Sequence, residues 1–330
     1  MSAVALPNTL RVFERGWLSS NNVLAFDRDG GATLIDTGYL SHAPQTVALV
    51  EHALAGRALT RVLNTHLHSD HCGGNAALIA RFGAALSIPP GHAPAVAAWD
   101  EEALTFRATG QRCERFMYDA LLVPDSSVES GGFNWQVLAA PGHDPHQVML
   151  WCASEHVLIS ADVLWQNGFG AIFPEIEGES GFAEQRALLE AIAQLQPRWV
   201  IPGHGAPFTD VVGALTRAQA RLAVLADNPA RNARQVAKTL VKFFLLEVRN
   251  VAFDELAAHF FAARYFQEIN TRYVRQPWQR FMRTIVDELI ALGAATERDG
   301  RLFDNQVSGP GSSAEGRRHE GATILRHNGA

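Results

Sequence analysis

The sequence predicts an α/β domain over residues 1–210, a smaller, mainly helical domain over residues 211–305 and a tail over residues 306–330. Three observations carry this expectation. Up to about residue 210, short apolar runs of strand type alternate with stretches of helical spacing. From about residue 211 the spacing turns helical. The chemistry-bearing side chains gather where the strand-like runs end in Gly or Pro.

In chain order, Leu24–Phe26, Ala32–Asp36, Arg61–Thr65 and Ala84–Ile88 are strand candidates, joined later by Val137–Ala140, Val157–Ala161 and Trp199–Ile201. Residues 181–195 read as an amphipathic helix, with Leu188, Leu189, Ile192 and Leu195 on one stripe and Pro197 as the stop. Residues 90–130 break the alternation. They are rich in Ala, Arg and Glu and carry Phe106, Phe116, Met117 and Tyr118. A helical insertion is expected there, either a surface helix pair packing its aromatic face inward or a wall of a substrate pocket.

Residues 233–248 and 277–292 have helical apolar spacing, the second through Phe281, Ile285, Leu289 and Leu292. Phe253–Phe261 is a shorter helix candidate, and Gly293 is a helix stop. Residues 295–303 read as two short strands around Asp299-Gly300. Three helices and a hairpin look like a winged-helix domain. Residues 306–330, rich in Gly, Ser, Arg and His, hold too few apolar groups to order themselves, so a disordered tail is expected and its His319 and His327 are excluded from any site.

Composition narrows the function classes. An apolar fraction of 47% in 330 residues supports a sizeable core. A net charge of −6 argues against binding nucleic acid through the overall field. No apolar run is long enough to span a membrane. The segment Met1-Ser2-Ala3-Val4-Ala5-Leu6-Pro7 lacks the basic and apolar parts of a signal peptide. Three cysteines (Cys72, Cys113, Cys152) in no pattern point to a reducing compartment, and a cytoplasmic location is expected.

The densest chemical signal is His66-Leu67-His68-Ser69-Asp70-His71, three imidazoles and a carboxylate in six residues. Downstream, His143 lies in Pro141-Gly142-His143-Asp144, Asp162 follows an apolar run, and His204 lies in Pro202-Gly203-His204-Gly205. Imidazole nitrogen and carboxylate oxygen are zinc ligands, and they also suit iron or manganese.

This set resembles the metallo-β-lactamase superfamily, with a likeness over about residues 8–210 that includes Leu34-Ile35-Asp36-Thr37-Gly38. The resemblance implies an αββα sandwich and two divalent metal ions, zinc first. It implies that His66, His68 and His143 hold one ion, that Asp70, His71 and His204 hold the second, and that Asp162 bridges them. It implies a hydrolase in which a metal-bridging hydroxide attacks a thioester, ester or lactone carbonyl, with Asp70 also orienting the water. Members with a winged-helix-like tail include an endoribonuclease branch, so a phosphodiesterase or nuclease is the alternative. A binding protein without turnover is a third reading, disfavoured by so complete a ligand set. The usual zinc β-lactamase set differs at the second metal. The basic glutathione-binding pattern of the glyoxalase II branch is not found in the C-terminal region.

The remaining residues carry weaker signals. Asp36 either orients a ligand imidazole or only caps its turn. Cys72 reads as a small buried residue. His146 sits one position short of the family's second histidine in this segment, which leaves a role in substrate binding or proton donation open. His42, His52, His92, His156 and His259 read as structural or exposed. Arg264, Arg272, Arg275, Arg280 and Arg283 give residues 264–283 a basic bias against Glu268 alone. That bias reads as a solvated face, a packing or dimer surface, or a nucleic-acid contact. The expected partner is a small-molecule substrate.

Overall fold

The computed structural model describes residues 5–305, so the tail at 306–330, with His319 and His327, lies outside the described residues. The first sheet has six strands in sequential order: β1 (Leu10–Phe13), β2 (Asn22–Phe26), β3 (Gly31–Ile35), β4 (Ala58–Leu63), β5 (Ala85–Ile88) and β6 (Ala120–Leu121). β1 to β3 pair antiparallel and β3 to β6 pair parallel. Parallel pairing needs crossovers. These are α1 (Ala43–Leu54), then α2 (Ser69–Cys72) with α3 (Asn75–Phe82), then α4 (Ala93–Ala98) with α5 (Phe106–Thr109).

The second sheet holds β7 (Ser127–Ser130), β8 (Phe133–Ala139), β9 (Val148–Cys152), β10 (Val157–Ala161) and β11 (Trp199–Pro202), ordered β11-β10-β9-β8-β7. Between β10 and β11 the chain forms α6 (Pro174–Glu177) and α7 (Phe182–Leu195). Then follow α8 (Val211–Asp227), α9 (Pro229–Val248), β12 (Asn250–Ala252), α10 (Phe253–Phe261), α11 (Arg264–Ile269), α12 (Trp278–Ala291), β13 (Ala295–Arg298) and β14 (Arg301–Asp304). The last three strands form a small sheet ordered β12-β14-β13.

Side-chain parity explains the layers. Val23, Ala25, Ile35 and Leu63 of the first sheet share one apolar cluster with Val137, Leu150, Val157, Ile159 and Ile201 of the second. Their neighbours Leu24, Leu34 and Val62 face α1 and α3 instead. Met149, Trp151, Leu158 and Val200 face α7 and α8. Strands covered on both sides read as unbroken apolar runs, and every residue of β9 and β10 is buried. The result is the expected αββα sandwich.

Residues 90–130 form two short helices, α4 and α5, joined and followed by loops. α4 ends at Trp99 and α5 starts after Thr105, both at left-handed φ. Phe106 of α5 joins the core under the first sheet together with Leu104, Cys113 and Phe116 from the loops, so the aromatic groups reach the core from helix and loop alike. The C-terminal region carries more than three helices. α8 packs in the α7 layer, whereas α9 to α12 share a core with Phe173 and Ile176 of the sandwich half. Among the described residues no helix is long and apolar enough to cross a membrane.

Leu34 of β3 is fully buried. Leu34→Ala should cost about 2–5 kcal/mol of stability, read as a lower denaturant midpoint at constant m-value.

Candidate metal centre

The ligand loop follows β4, and its local conformation explains its spacing. His66 and His68 lie on extended chain, where alternate residues share a side. His68 is the cap of the single-turn helix α2, its carbonyl accepting from the amides of His71 and Cys72. That turn swings Asp70 and His71 to the same cavity. His143 follows β8, Asp162 follows β10 and His204 follows β11, so strand ends aim all the remaining donors.

The structure brings all seven together in overlapping sets: His66, His68 and His143; His66, His71 and Asp162; Asp70, His71 and His204. Within each set the donor atoms lie within 4.8 Å of one another. His68 Nδ1 is 3.1 Å from His66 Nε2 and 2.8 Å from His143 Nε2. Asp70 Oδ2 is 3.1 Å from His204 Nε2 and 3.9 Å from His71 Nε2. Asp162 Oδ2 sits between the groups, 3.4 Å from His143 Nε2, 3.5 Å from His71 Nε2 and 4.0 Å from His204 Nε2.

The outer ring atoms show which nitrogens are free. His71 Nδ1 donates to Asp36 Oδ2 at 2.8 Å. His143 Nδ1 donates to the Ala171 carbonyl, and His68 Nε2 faces Asp144 Oδ2 at 3.5 Å. With Nδ1 donating to Ala171, His143 Nε2 is left with a lone pair, and it presents that lone pair to His68 Nδ1; with His68 protonated on the Nε2 that faces Asp144, both nitrogens are acceptors. His71 Nε2 and His204 Nδ1 are buried without a hydrogen-bond partner. Facing lone pairs in a buried site repel unless a cation lies between them, so this donor set fits a metal ion.

Backbone features support the cluster. Asp36 holds a left-handed φ of 56°, kept there because its carboxylate also accepts from the amide and hydroxyl of Thr65, each at 2.8 Å. A side chain at Gly203 would collide with the Asp162 carboxylate, so glycine is required beside His204. Trp165 Nε1 donates to Asp162 Oδ1 at 3.1 Å, and Trp17 stacks on the His204 ring at 5.4 Å.

Charge coupling is strong. Burial and the neighbouring imidazoles hold His66 well below its usual value, and burial and His143 bring His68 to about 4. Burial alone would lower His71, but Asp162, Asp36 and Asp70 outweigh it and raise it well above 6.5. Burial would raise Asp70 and Asp162, yet the adjacent histidines, His71 foremost, lower both.

The sequence reading left Asp36 open between two roles; it orients His71. It missed Asp144, Thr65, Trp17 and Trp165. Asp144 had a signal, its place beside His143; the tryptophans had none, because they sit on loops. His92, expected to be structural or exposed, lines a cavity beside the site and meets His146 edge-on at 4.5 Å. His146 is not among the convergent donors. Cys72 is buried as expected, with the Cys113 sulfur 3.9 Å away.

The sequence profile of the metallo-beta-lactamase superfamily matches residues 15–204, and the chain belongs to that superfamily. It is 30% identical over 168 residues to a hydroxyacylglutathione hydrolase of Acidiphilium cryptum, covering 51% of this chain and 57% of that one. A second such protein, from Rhizobium etli, is 26% identical over 202 residues, 60% of this chain and 67% of that one. The chain spans about half the length of most of the curated relatives it matches. In fold it is similar to a metallo-beta-lactamase family protein of Thermus thermophilus (TM-score 0.52, 20% identity, 91% of this chain and 100% of that one). It is also similar to a beta-lactamase domain protein of Burkholderia ambifaria (TM-score 0.54, 20% identity, 92% and 94%).

Asp36→Ala should weaken metal binding about 10–100-fold by freeing the His71 ring, measured by chelator competition. In the metal-free protein the surrounding Asp162, Asp36 and Asp70 carboxylates favour the protonated His71 imidazole despite its burial. Metal binding should therefore release protons from the site, read by calorimetry in buffers of different ionisation enthalpy. His66 and His68 bind protons more readily when unfolded, near pH 6.5, than when folded. Metal-free stability should therefore fall as pH drops from about 6.5 towards 4, with denaturant melts at pH 7 and 5 as the check.

Proposed function

We propose that this chain is a metal-dependent hydrolase that holds two divalent ions, zinc first and iron or manganese as alternatives, and cleaves a thioester, ester or lactone carbonyl. The observation that carries this reading is the place of Asp162 Oδ2 between the His143 side and the His71–His204 side of the cluster. His66, His68 and His143 would hold one ion, Asp70, His71 and His204 the other, with Asp162 shared. Such ions supply Lewis acidity and an activated water at neutral pH.

The chain's own groups do the rest. Asp36, Asp144 and the Ala171 carbonyl fix the rings of His71, His68 and His143. Trp165 steadies Asp162 by its indole N–H. Trp17 and Trp165 cover the His204 ring and limit water there. Asp70 Oδ2, 3.1 Å from His204 Nε2, would orient the attacking water. The named activity of the hydroxyacylglutathione hydrolase relatives favours a thioester as substrate.

The nuclease reading draws on the order of the C-terminal elements: helix α9, strand β12, helices α10 and α12, then β13 and β14, as in a winged helix. Three of the five arginines of residues 264–283 weigh against it. Arg264 pairs with Glu102 and Glu177, Arg272 with Glu268, and Arg283 with Asp287 and Glu297. Paired guanidinium groups offer little to phosphates.

Elemental analysis should find about two ions per chain after reconstitution; occupancy that never passes one would defeat the dinuclear reading. In a screen of thioesters, lactones, bis-p-nitrophenyl phosphate and RNA, carbonyl substrates should turn over fastest. Asp70→Ala should lower kcat/KM at least about 100-fold, about 2.7 kcal/mol. Mass spectrometry should find no acyl adduct on Ser69 or Cys72, since neither is needed as a nucleophile.

A further inference from the structure

A cavity of about 490 Å³ opens beside the metal centre. On the site side it is lined by His68 and by Phe173, whose ring lies 5.0 Å from His68 and 5.5 Å from His143. The C-terminal region closes the other side with Arg264 and Tyr265 of α11. His92, only 9% exposed, also lines it, and its Nδ1 has no hydrogen-bond partner. The His92 ring thus adds a polar wall to a cavity that reaches the reacting centre.

The charge of the lining defines that ligand. Four glutamates line the cavity, Glu102, Glu177, Glu179 and Glu184, against one arginine, Arg264. That guanidinium is already engaged, at 2.6 Å from Glu102 and in contact with Glu177. Glu184 accepts from the Ser180 hydroxyl at 2.6 Å. Among the described residues neither Glu179 nor Glu184 has a cationic partner. A cleft lined by one sign of charge concentrates ligands of the other sign and repels its own.

We infer that this cavity seats the non-reacting end of the substrate and selects a cationic group there over a carboxylate or phosphate. The turnover part of this inference rests on the hydrolase reading above; the binding preference does not. Glu179 and Glu184 supply the attraction, and His92 hydrogen-bonds the polar linkage between the cation and the reacting carbonyl. Arg264, held by its two glutamates, acts as a wall rather than an anion receptor.

The test uses the full metal-loaded chain and three acetyl thioesters: of thiocholine (cationic), mercaptoethanol (neutral) and mercaptopropionate (anionic). The thiocholine ester should have a kcat/KM at least about 10-fold above the mercaptopropionate ester, mostly through KM. In Glu179→Gln/Glu184→Gln the ratio should shrink to within about 3-fold. Equilibrium binding of the three S-methyl thioethers, which cannot be hydrolysed, reads the cavity without turnover. The cationic thioether should bind tightest, and added salt should weaken it. Equal or anion-favouring binding overturns the inference, whatever the hydrolysis rates. Preserved cation preference with no hydrolysis of any thioester keeps the inference and sinks the thioester reading.

Discussion

The contact on which the site depends is the hydrogen bond from His71 Nδ1 to Asp36. Asp36 ends β3, His71 belongs to the turn after β4, and the same carboxylate binds the amide and hydroxyl of Thr65. One side chain therefore ties two neighbouring strand ends and the ligand loop into a single body. Its left-handed backbone is a strained conformation that three hydrogen bonds compensate. Released from Asp36, the His71 ring could turn its Nε2 away from Asp70 and Asp162. Two donor sets out of three would then open.

The second support comes from the C-terminal helices. The segment between β10 and α7 carries Trp165, which binds Asp162, and Ala171, whose carbonyl holds His143. Three helical side chains brace it from behind. Arg221 donates to the Phe169 carbonyl at 2.9 Å, Asn232 to Ile172 at 2.9 Å and Tyr273 to Glu175 at 2.6 Å. Arg221 and Asn232 are largely or wholly buried, where an unmade hydrogen bond is costly. The helical region is thus part of the scaffold of the candidate metal centre as well as a wall of the adjoining cavity. This division of labour explains why its core takes in Phe173 and Ile176 from the sandwich half.

Much of this was legible in the chain itself. β10 lies where its apolar run predicts, and Phe253–Phe261 forms the expected helix, because burial on both faces or on one stripe leaves a periodic trace. The hairpin forms around Asp299-Gly300, where both residues take positive φ. The seven donors were legible for a different reason: ligand chemistry restricts residue type and places it at strand ends. What escaped has no such trace. The Ala171 carbonyl is backbone and carries no residue-type signal. Trp17 and Trp165 act from loops without periodicity. Residues 90–130 looked helical in composition and form α4 and α5, but Phe116 reaches the core under the first sheet from a loop, which leaves no periodic trace.

Charge balance links the ion-free and ion-bound forms. Asp70, Asp162, Asp36 and Asp144 are all buried around the cluster. Unpaired buried carboxylates are expensive, and without an ion the deficit falls on the imidazoles. It falls unevenly: His71, which faces three of the carboxylates, is driven towards its protonated form, while His66 and His68, crowded by other imidazoles, are driven away from it. A proton on His71 would occupy the charge position that a cation would fill. Under the dinuclear reading, two divalent ions match these four carboxylates in total charge. The two orienting carboxylates, Asp36 and Asp144, then do more than aim rings. They complete the neutralisation that lets so many charged groups stay buried together, so removing either would alter the preferred charge of the bound ions as well as the geometry that receives them.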